Sequence, residues 1–242
     1  MRSKAVAAQT RAELTMQTRR GENLLVTLVI PLGILLFFGK VDALSTELDD
    51  PVEFLVPGVL ALAVMATAMV SLGIATGFER RYGVLKRLGT TPLSRGGLLT
   101  AKTATVLLLE TVQFVLVVVV GVALGWDLSS GLPAALGLLL LGTIAFAGIG
   151  LLLAGTLRAE ANLAVANALF LVFLFLGGMA YPLEDLPAAL EAIANVLPAA
   201  ALSECVRAVL QHDAFPAGSF VILLAWAVAA PVIAARTFRW EE

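Results

Sequence analysis

ERRYGVLKRLGTTPLSRGGLLTAK, from Glu79 to Lys102, sets six basic residues between two long apolar runs. The run before it, residues 54–78, carries no charge, and the run after it, residues 98–124, holds only Lys102 near its start and Glu110. An α-helix rises about 1.5 Å per residue, so roughly 20 apolar residues cross the hydrocarbon core of a bilayer. The block is therefore a loop joining two spans. Its charge says which side of the membrane the loop faces, and the rest of the topology follows outward from it.

The whole chain of 242 residues agrees: 60% are apolar, 14% are charged, and the mean hydropathy is +0.95. Such a composition excludes an ordinary soluble domain. The net charge of −2 says little, because the charges are sorted by side rather than mixed. A single cysteine, Cys205, rules out an intramolecular disulfide and a cysteine-rich metal site, leaving a buried or interfacial thiol. His212, the only histidine, has no second ligand near it, so no metal site is read, and nothing points to nucleic acid. Twelve arginines against four lysines, with Ala, Leu, Val and Gly abundant, suit a GC-rich bacterial genome.

Six spans are expected, over residues 24–38, 54–78, 98–124, 133–157, 163–181 and 219–235. The first is the shortest and contains Pro31, which removes a helix donor and suggests a kink. Arg19 and Arg20 precede it as they would in a signal peptide. Glu22 and Asn23 follow where a twin-arginine signal wants apolar residues, and five more spans come after, so an uncleaved span is expected. An even number of spans puts both termini on one side. That side collects fourteen of the sixteen basic residues, leaving Lys40 and Arg207 on the other, where Asp42, Glu47, Asp49, Asp50 and Glu53 fill the first loop. By the positive-inside rule both termini are cytoplasmic.

The segments outside the spans carry their own patterns. Residues 1–22 suit a helix on the inner membrane surface, arginines toward lipid phosphates and Val6, Leu14 and Met16 toward acyl chains. Residues 182–216 suit two short amphipathic or re-entrant helices broken at Pro198, with Leu186, Leu190 and Ile193 in one and Leu202, Val206 and Leu210 in the other. Trp126 and Trp240 fall at opposite span ends, as an aromatic belt would place them, while Trp226 sits deeper. The fold expected is one all-α polytopic membrane domain over residues 1–242.

Three stretches carry a family likeness: Phe54-Leu-Val-Pro-Gly-Val; Glu79-Arg-Arg-Tyr-Gly-Val-Leu-Lys-Arg-Leu-Gly-Thr-Thr-Pro-Leu-Ser; and Gly178-Met-Ala-Tyr-Pro-Leu-Glu-Asp-Leu-Pro, continued through residues 192–198 to Glu204-Cys-Val-Arg-Ala. In them the chain resembles the membrane subunit of ABC type 2 exporters of the daunorubicin-resistance permease kind. The resemblance implies a non-catalytic half-transporter that pairs with a second permease copy, a homodimer being favoured over a heterodimer, amid membrane lipids in the cell membrane. Two cytoplasmic ABC ATPase subunits would supply ATP and Mg²⁺ chemistry, with no cofactor on this chain. It also implies a coupling helix in the loop over residues 79–97. That assigns the ATPase contact to Glu79, Arg80, Arg81, Tyr82, Gly83, Val84, Leu85, Lys86, Arg87 and Leu88. The basic residues would be its polar grips and Tyr82, Val84 and Leu85 its apolar anchors. A second contact is implied near Arg158-Ala-Glu160, and a dimer seam near the first and fifth spans. The bland reading of the basic loop is that it only sets topology and binds anionic lipid.

A P-loop would read G-x-x-x-x-G-K-[ST] after a strand. Gly96-Gly-Leu-Leu-Thr-Ala-Lys102-Thr103 approaches it, with alanine at the second glycine and a membrane helix for its setting, so it is a decoy. Inside the spans Glu110 is the one acid near a midplane, with Gln113 one turn on. It is either a substrate or proton contact or a neutral acid bonded between helices. Phe170 and Phe173 on the fifth span either line a hydrophobic cavity with them or pack. Gly73-x-x-x-Gly77 and Gly121-x-x-x-Gly125 allow close helix approach, within the chain rather than across a dimer. The function expected is ATP-driven export of a hydrophobic or amphipathic compound, drug-like or lipid. The alternatives are a permease for a lipid-linked glycan or other envelope component, disfavoured by having only two tyrosines, and an ion-coupled secondary transporter, disfavoured by the lack of an internal repeat.

Overall fold

In the computed structural model the described residues are 2–19, 25–38, 51–88, 95–128, 130–179, 182–211 and 215–239, and among them the chain is all-helical, with no strand. The helices are α1 (Arg2–Arg19), α2 (residues 25–38), α3 (Pro51–Arg81), α4 (Val84–Leu88), α5 (Arg95–Ala123), α6 (Leu132–Thr156), α7 (Ala159–Leu176), α8 (Ala188–Ala194), α9 (Pro198–Gln211) and α10 (Ala217–Thr237). Five of them, α3, α5, α6, α7 and α10, are long and apolar enough to cross a membrane. The expected first span is α2, about 21 Å of helix against a hydrocarbon core of about 30 Å. Leu24, Asp42, Glu47, Asp49, Asp50, residues 89–94 of the basic loop, Tyr181, His212 and Trp240 lie outside the described residues.

Helix α3 is the axis of the bundle. Its apolar stretch is 94% buried inside the protein, whereas those of α5, α7 and α10 are each 22% buried and present a flank outward. Lipid tails are as apolar as leucine, so burial is decided by how closely backbones approach rather than by hydrophobicity. Small residues settle it here. A Cβ on Gly73 would lie 3.0 Å from the Gly150 backbone of α6, and one on Gly77 would lie 2.5 Å from the Asn162 amide of α7. The first glycine pair is thus an internal seam. Gly121 lets α5 close on Val56, while Gly125 takes φ +102° in the turn that ends that helix. Through Met65–Ser71, beside Gly150, α3 widens into a π turn in which the Leu72 N–H reaches the Thr67 carbonyl.

One expectation needs correction, and two gain detail. Trp126 is 4% exposed, packed among core residues near Gly121 rather than placed in an interfacial belt. Helices α8 and α9 do meet at a sharp bend, 83°, at Pro198. The apolar face of α9 is covered by protein: Ala199, Leu202, Cys205 and Val206 are wholly buried, and it packs against α3, α6 and α10. Apolar periodicity cannot distinguish lipid from protein as the covering phase. Lastly, α1 lies against α5 with a polar inward face, in which Glu13 is 5% exposed while Met16 is 44% exposed. Val6 and Leu14 are half-buried.

Candidate functional site

At the end of the bundle that carries most of the basic residues, α3 stops at Arg81 and the chain turns through Tyr82 and Gly83 into α4. Gly83 has φ +67°, a left-handed conformation that a Cβ disfavours. The turn is closed by the Gly83 N–H donating to the Arg80 carbonyl at 3.1 Å, and the Arg87 N–H donates to the Gly83 carbonyl, also at 3.1 Å. The ten residues assigned to coupling then divide into two faces. Leu85 is 4% exposed and Arg80 5% exposed, so both face the protein. Tyr82, Lys86 and Arg87 face outward, Tyr82 being 64% exposed. Val84, Gly83 and Leu88 are half-buried.

A buried and an exposed arginine tie this element to the turn between α6 and α7. Arg80 donates to the Leu157 carbonyl at the end of α6, a group that the helix itself leaves without a donor. Arg81 pairs with Glu160 in the first turn of α7 and lies 5.9 Å from the Tyr82 ring, which stacks on Phe78 at 6.0 Å. Thus the two regions for which the resemblance implied separate contacts, residues 79–88 and 158–160, are joined in one surface.

Behind that surface sits a buried ion cluster. Lys102 Nζ on α5 lies 3.1 Å from Glu13 Oε1 on α1 and 2.6 Å from Glu79 Oε2 on α3. Lys102 is 4% exposed. Gln9 donates to Glu13 at 3.0 Å, and the Ser71 hydroxyl meets Gln17 of α1 at 3.3 Å. One ammonium therefore fastens the N-terminal helix to the helices on both sides of the basic loop. The lysine of the P-loop decoy is committed to carboxylates rather than to a phosphate. Sequence reasoning missed this cluster. Its one available signal was Lys102 itself, a charge inside an apolar helix that needs a partner.

Further along the spans, the residues considered for a transport path fall into two groups. Gln113 donates 2.8 Å to the Thr27 carbonyl of α2 and 2.9 Å to the Thr67 hydroxyl of α3. Glu110 Oε2 accepts the Thr143 hydroxyl of α6 at 2.6 Å, while Oε1 is buried with no hydrogen-bond partner. Both line one cavity of about 300 Å³ between α3, α5 and α6. A second cavity of about 430 Å³, lined by Thr103, Thr143 and Pro231 among others, lies between α5, α6 and α10. Phe173 instead packs on Phe146 of α6 at 6.2 Å between ring centres, and Phe170 is half-buried against the core. The two pairs do not share a site.

At the opposite end Arg207 of α9, 8% exposed, donates 2.5 Å to the Gly178 carbonyl and 2.7 Å to Glu204, and lies 4.1 Å from the Phe54 ring. Ser203 donates to the Gly177 carbonyl. Gly178 has φ +62° and no room for a Cβ beside Leu183. The Gly178 and Glu204-Cys-Val-Arg stretches, 26 residues apart in the chain, are one unit in space. Among the described residues no group of three or more His, Cys, Asp or Glu side chains is placed to hold a metal ion.

The chain matches the family described as ABC-2 type transporter over residues 5–210. No curated protein matches it.

Proposed function

Because this chain belongs to the ABC-2 type transporter family, a non-catalytic multi-pass permease subunit, we propose that it serves an ATP-driven exporter moving a hydrophobic or amphipathic compound, drug-like or lipid, across the cell membrane. The family implies a partner ATPase subunit. In this reading two such subunits dock on the cytoplasmic side, where both termini lie, and a second permease copy completes the pore, a homodimer before a heterodimer. ATP and Mg²⁺ act on the partner. This chain contributes a surface to hold and a set of helices to move.

The observation that carries the reading is the two-faced segment from Arg80 to Leu88. Arg80 on its inner face is bonded to α6, the exposed Arg81 is paired with Glu160 of α7, and the adjoining Glu79 reaches α5 and α1 through Lys102. Its outer face offers an aromatic ring flanked by two cations, Tyr82, Lys86 and Arg87. A segment so fastened moves with the spans rather than flexing away from them. Closure of an ATPase pair gripping it would therefore tilt α3 and α5 together. Arg80 and Leu85 brace the segment from within, leaving the contact itself to the outward three.

Co-purification tests the reading. The chain is expressed with an ABC ATPase subunit from the same genome, as wild type and as Lys86→Glu/Arg87→Glu. Wild type is expected to retain the ATPase, and the reversed chain to lose it while keeping its own elution profile. Equal retention by both would move the contact elsewhere. No retention by wild type would remove the exporter reading.

A further inference from the structure

The larger cavity, about 430 Å³ between α5, α6 and α10, lies in the half of the bundle nearer the basic end. On α6 its wall runs from Thr143, at the middle of that helix, to Leu151, and on α10 from Pro231 to Phe238, the residue after its last turn. Eight residues of helix rise about 12 Å, most of the roughly 15 Å that one leaflet contributes to a hydrocarbon core of about 30 Å. The walls are mainly apolar, with Leu72, Val106, Ala147, Leu151 and Ala234 among them. At the deep end the Thr143 hydroxyl is spent on Glu110 and on the Leu139 carbonyl, so that donor is not available to a guest.

The slot opens sideways. Val106 and Ala234 are buried at its back, while Ile144, Ala235 and Thr103 are exposed at its rim. Beyond that rim the chain turns basic. Arg236 follows Ala235 directly, and Arg239 follows Phe238, whose ring packs over Gly155 at the end of α6. The Arg239 N–H donates 3.1 Å to the Gly155 carbonyl, which holds the end of α10 across the foot of the slot. Arg236 and Arg239 are both exposed, and among the described residues neither pairs with a carboxylate. Arginine lays its apolar stem along such a surface and carries its charge to the level of the lipid phosphates. Two cations at the foot of an apolar slot one leaflet deep are complementary to a molecule with a long apolar chain and a negative head.

We propose that the slot holds one acyl chain of an anionic phospholipid from the leaflet at this end, its phosphate against Arg236 and Arg239. The lipid is a resident and not cargo: the lining reaches no further than Thr143 and Pro231, so the slot offers no passage to the other leaflet. The inference goes beyond the exporter reading and needs neither an ATPase nor transport. The apolar walls accept the chain of any phospholipid. The two arginines set the preference, because a zwitterionic lipid carries its own cation beside the phosphate and answers them less well.

Native mass spectrometry of the full chain in detergent, titrated with dioleoylphosphatidylglycerol or dioleoylphosphatidylcholine, reads the affinity of the first lipid bound. Wild type is expected to hold the anionic lipid about tenfold more tightly than the zwitterionic one. Arg236→Gln/Arg239→Gln should abolish that difference and leave phosphatidylcholine binding unchanged. Lys4→Gln/Arg11→Gln, which removes the same charge from exposed positions of α1, should leave the difference intact. Ala235→Trp, at the rim, should weaken both lipids. The proposal is overturned if wild type does not distinguish the two lipids, or if the Arg236/Arg239 variant still does. It is equally overturned if the α1 variant loses the difference as fully, or if Ala235→Trp leaves both lipids unaffected. No ATPase enters these measurements, so failure of the exporter reading would leave the lipid site standing.

Discussion

A lysine two turns inside a membrane helix can reach for the interface, lose its proton or find a carboxylate. Lys102 has found two, Glu13 and Glu79, 89 and 23 residues away in the chain. That arrangement makes an asymmetric prediction. Lys102→Met takes from the buried Glu13 the ammonium it faces, and removing one partner of a buried pair costs about 3–5 kcal/mol. Glu13→Gln keeps an oxygen for the ammonium and leaves Lys102 and Glu79 as a balanced pair, so its cost should be small. Thermal unfolding in detergent is expected to show a large drop in Tm for the first and a minor one for the second. Equal drops would mean that the cluster is not held by charge. From the sequence the charge of Lys102 was visible but its partners were not. A pairing across 89 residues depends on where α1 lies, and α1 has too thin an apolar face to reveal its docking side.

At the scale of elements, the sequence was most legible where length alone decides. The five long apolar helices fall close to their expected limits, although α3 extends to Pro51 and Arg81, beyond the expected 54–78, and the break at Pro198 is where it was read. The two-faced character of residues 80–88 was not legible, because five residues of helix after a glycine turn have no periodicity to read. Nor was the burial of α9, whose polar residues are answered by the carbonyls of Gly177 and Gly178 rather than by water. Glycine seams were legible as seams and not as to partner. The crossing of α3 on α6 puts a Cβ on Gly150 only 2.6 Å from the Met69 carbonyl oxygen and 3.1 Å from that of Ala68. Backbone on that side cannot yield. Gly150→Val should therefore destabilise by about 3 kcal/mol, the upper end of the range typical of overpacking. Gly137→Ala, with nothing within 4 Å, should be silent. Paired Tm measurements check the contrast, and a tolerated valine would place the two helices further apart than described here.

Over the whole molecule, the ion pairs among the described residues lie at the two ends, and apolar packing fills most of the length between. At one end α1, α3, α5, α6 and α7 are joined through Arg80, Arg81 and Lys102, and at the other Arg207 holds α9 to the end of α7 and to α3. Between them the helices touch mainly through glycine, alanine and leucine, with neutral hydrogen bonds at Gln113 and Thr143, contacts that give more readily than ion pairs break. A molecule built so can tilt its spans while keeping the surface proposed here for the partner, as the proposed ATPase-driven movement requires. The most direct test is a photo-crosslinking residue placed singly at Tyr82, Leu85 and Phe215 in the complex with that ATPase subunit. Tyr82 and Phe215 are comparably exposed, at 64% and 65%, but lie at opposite ends, and Leu85 is 4% exposed. A crosslink to the ATPase from position 82 alone is the expected result. A crosslink from 215, or from 85 and not 82, would contradict the account.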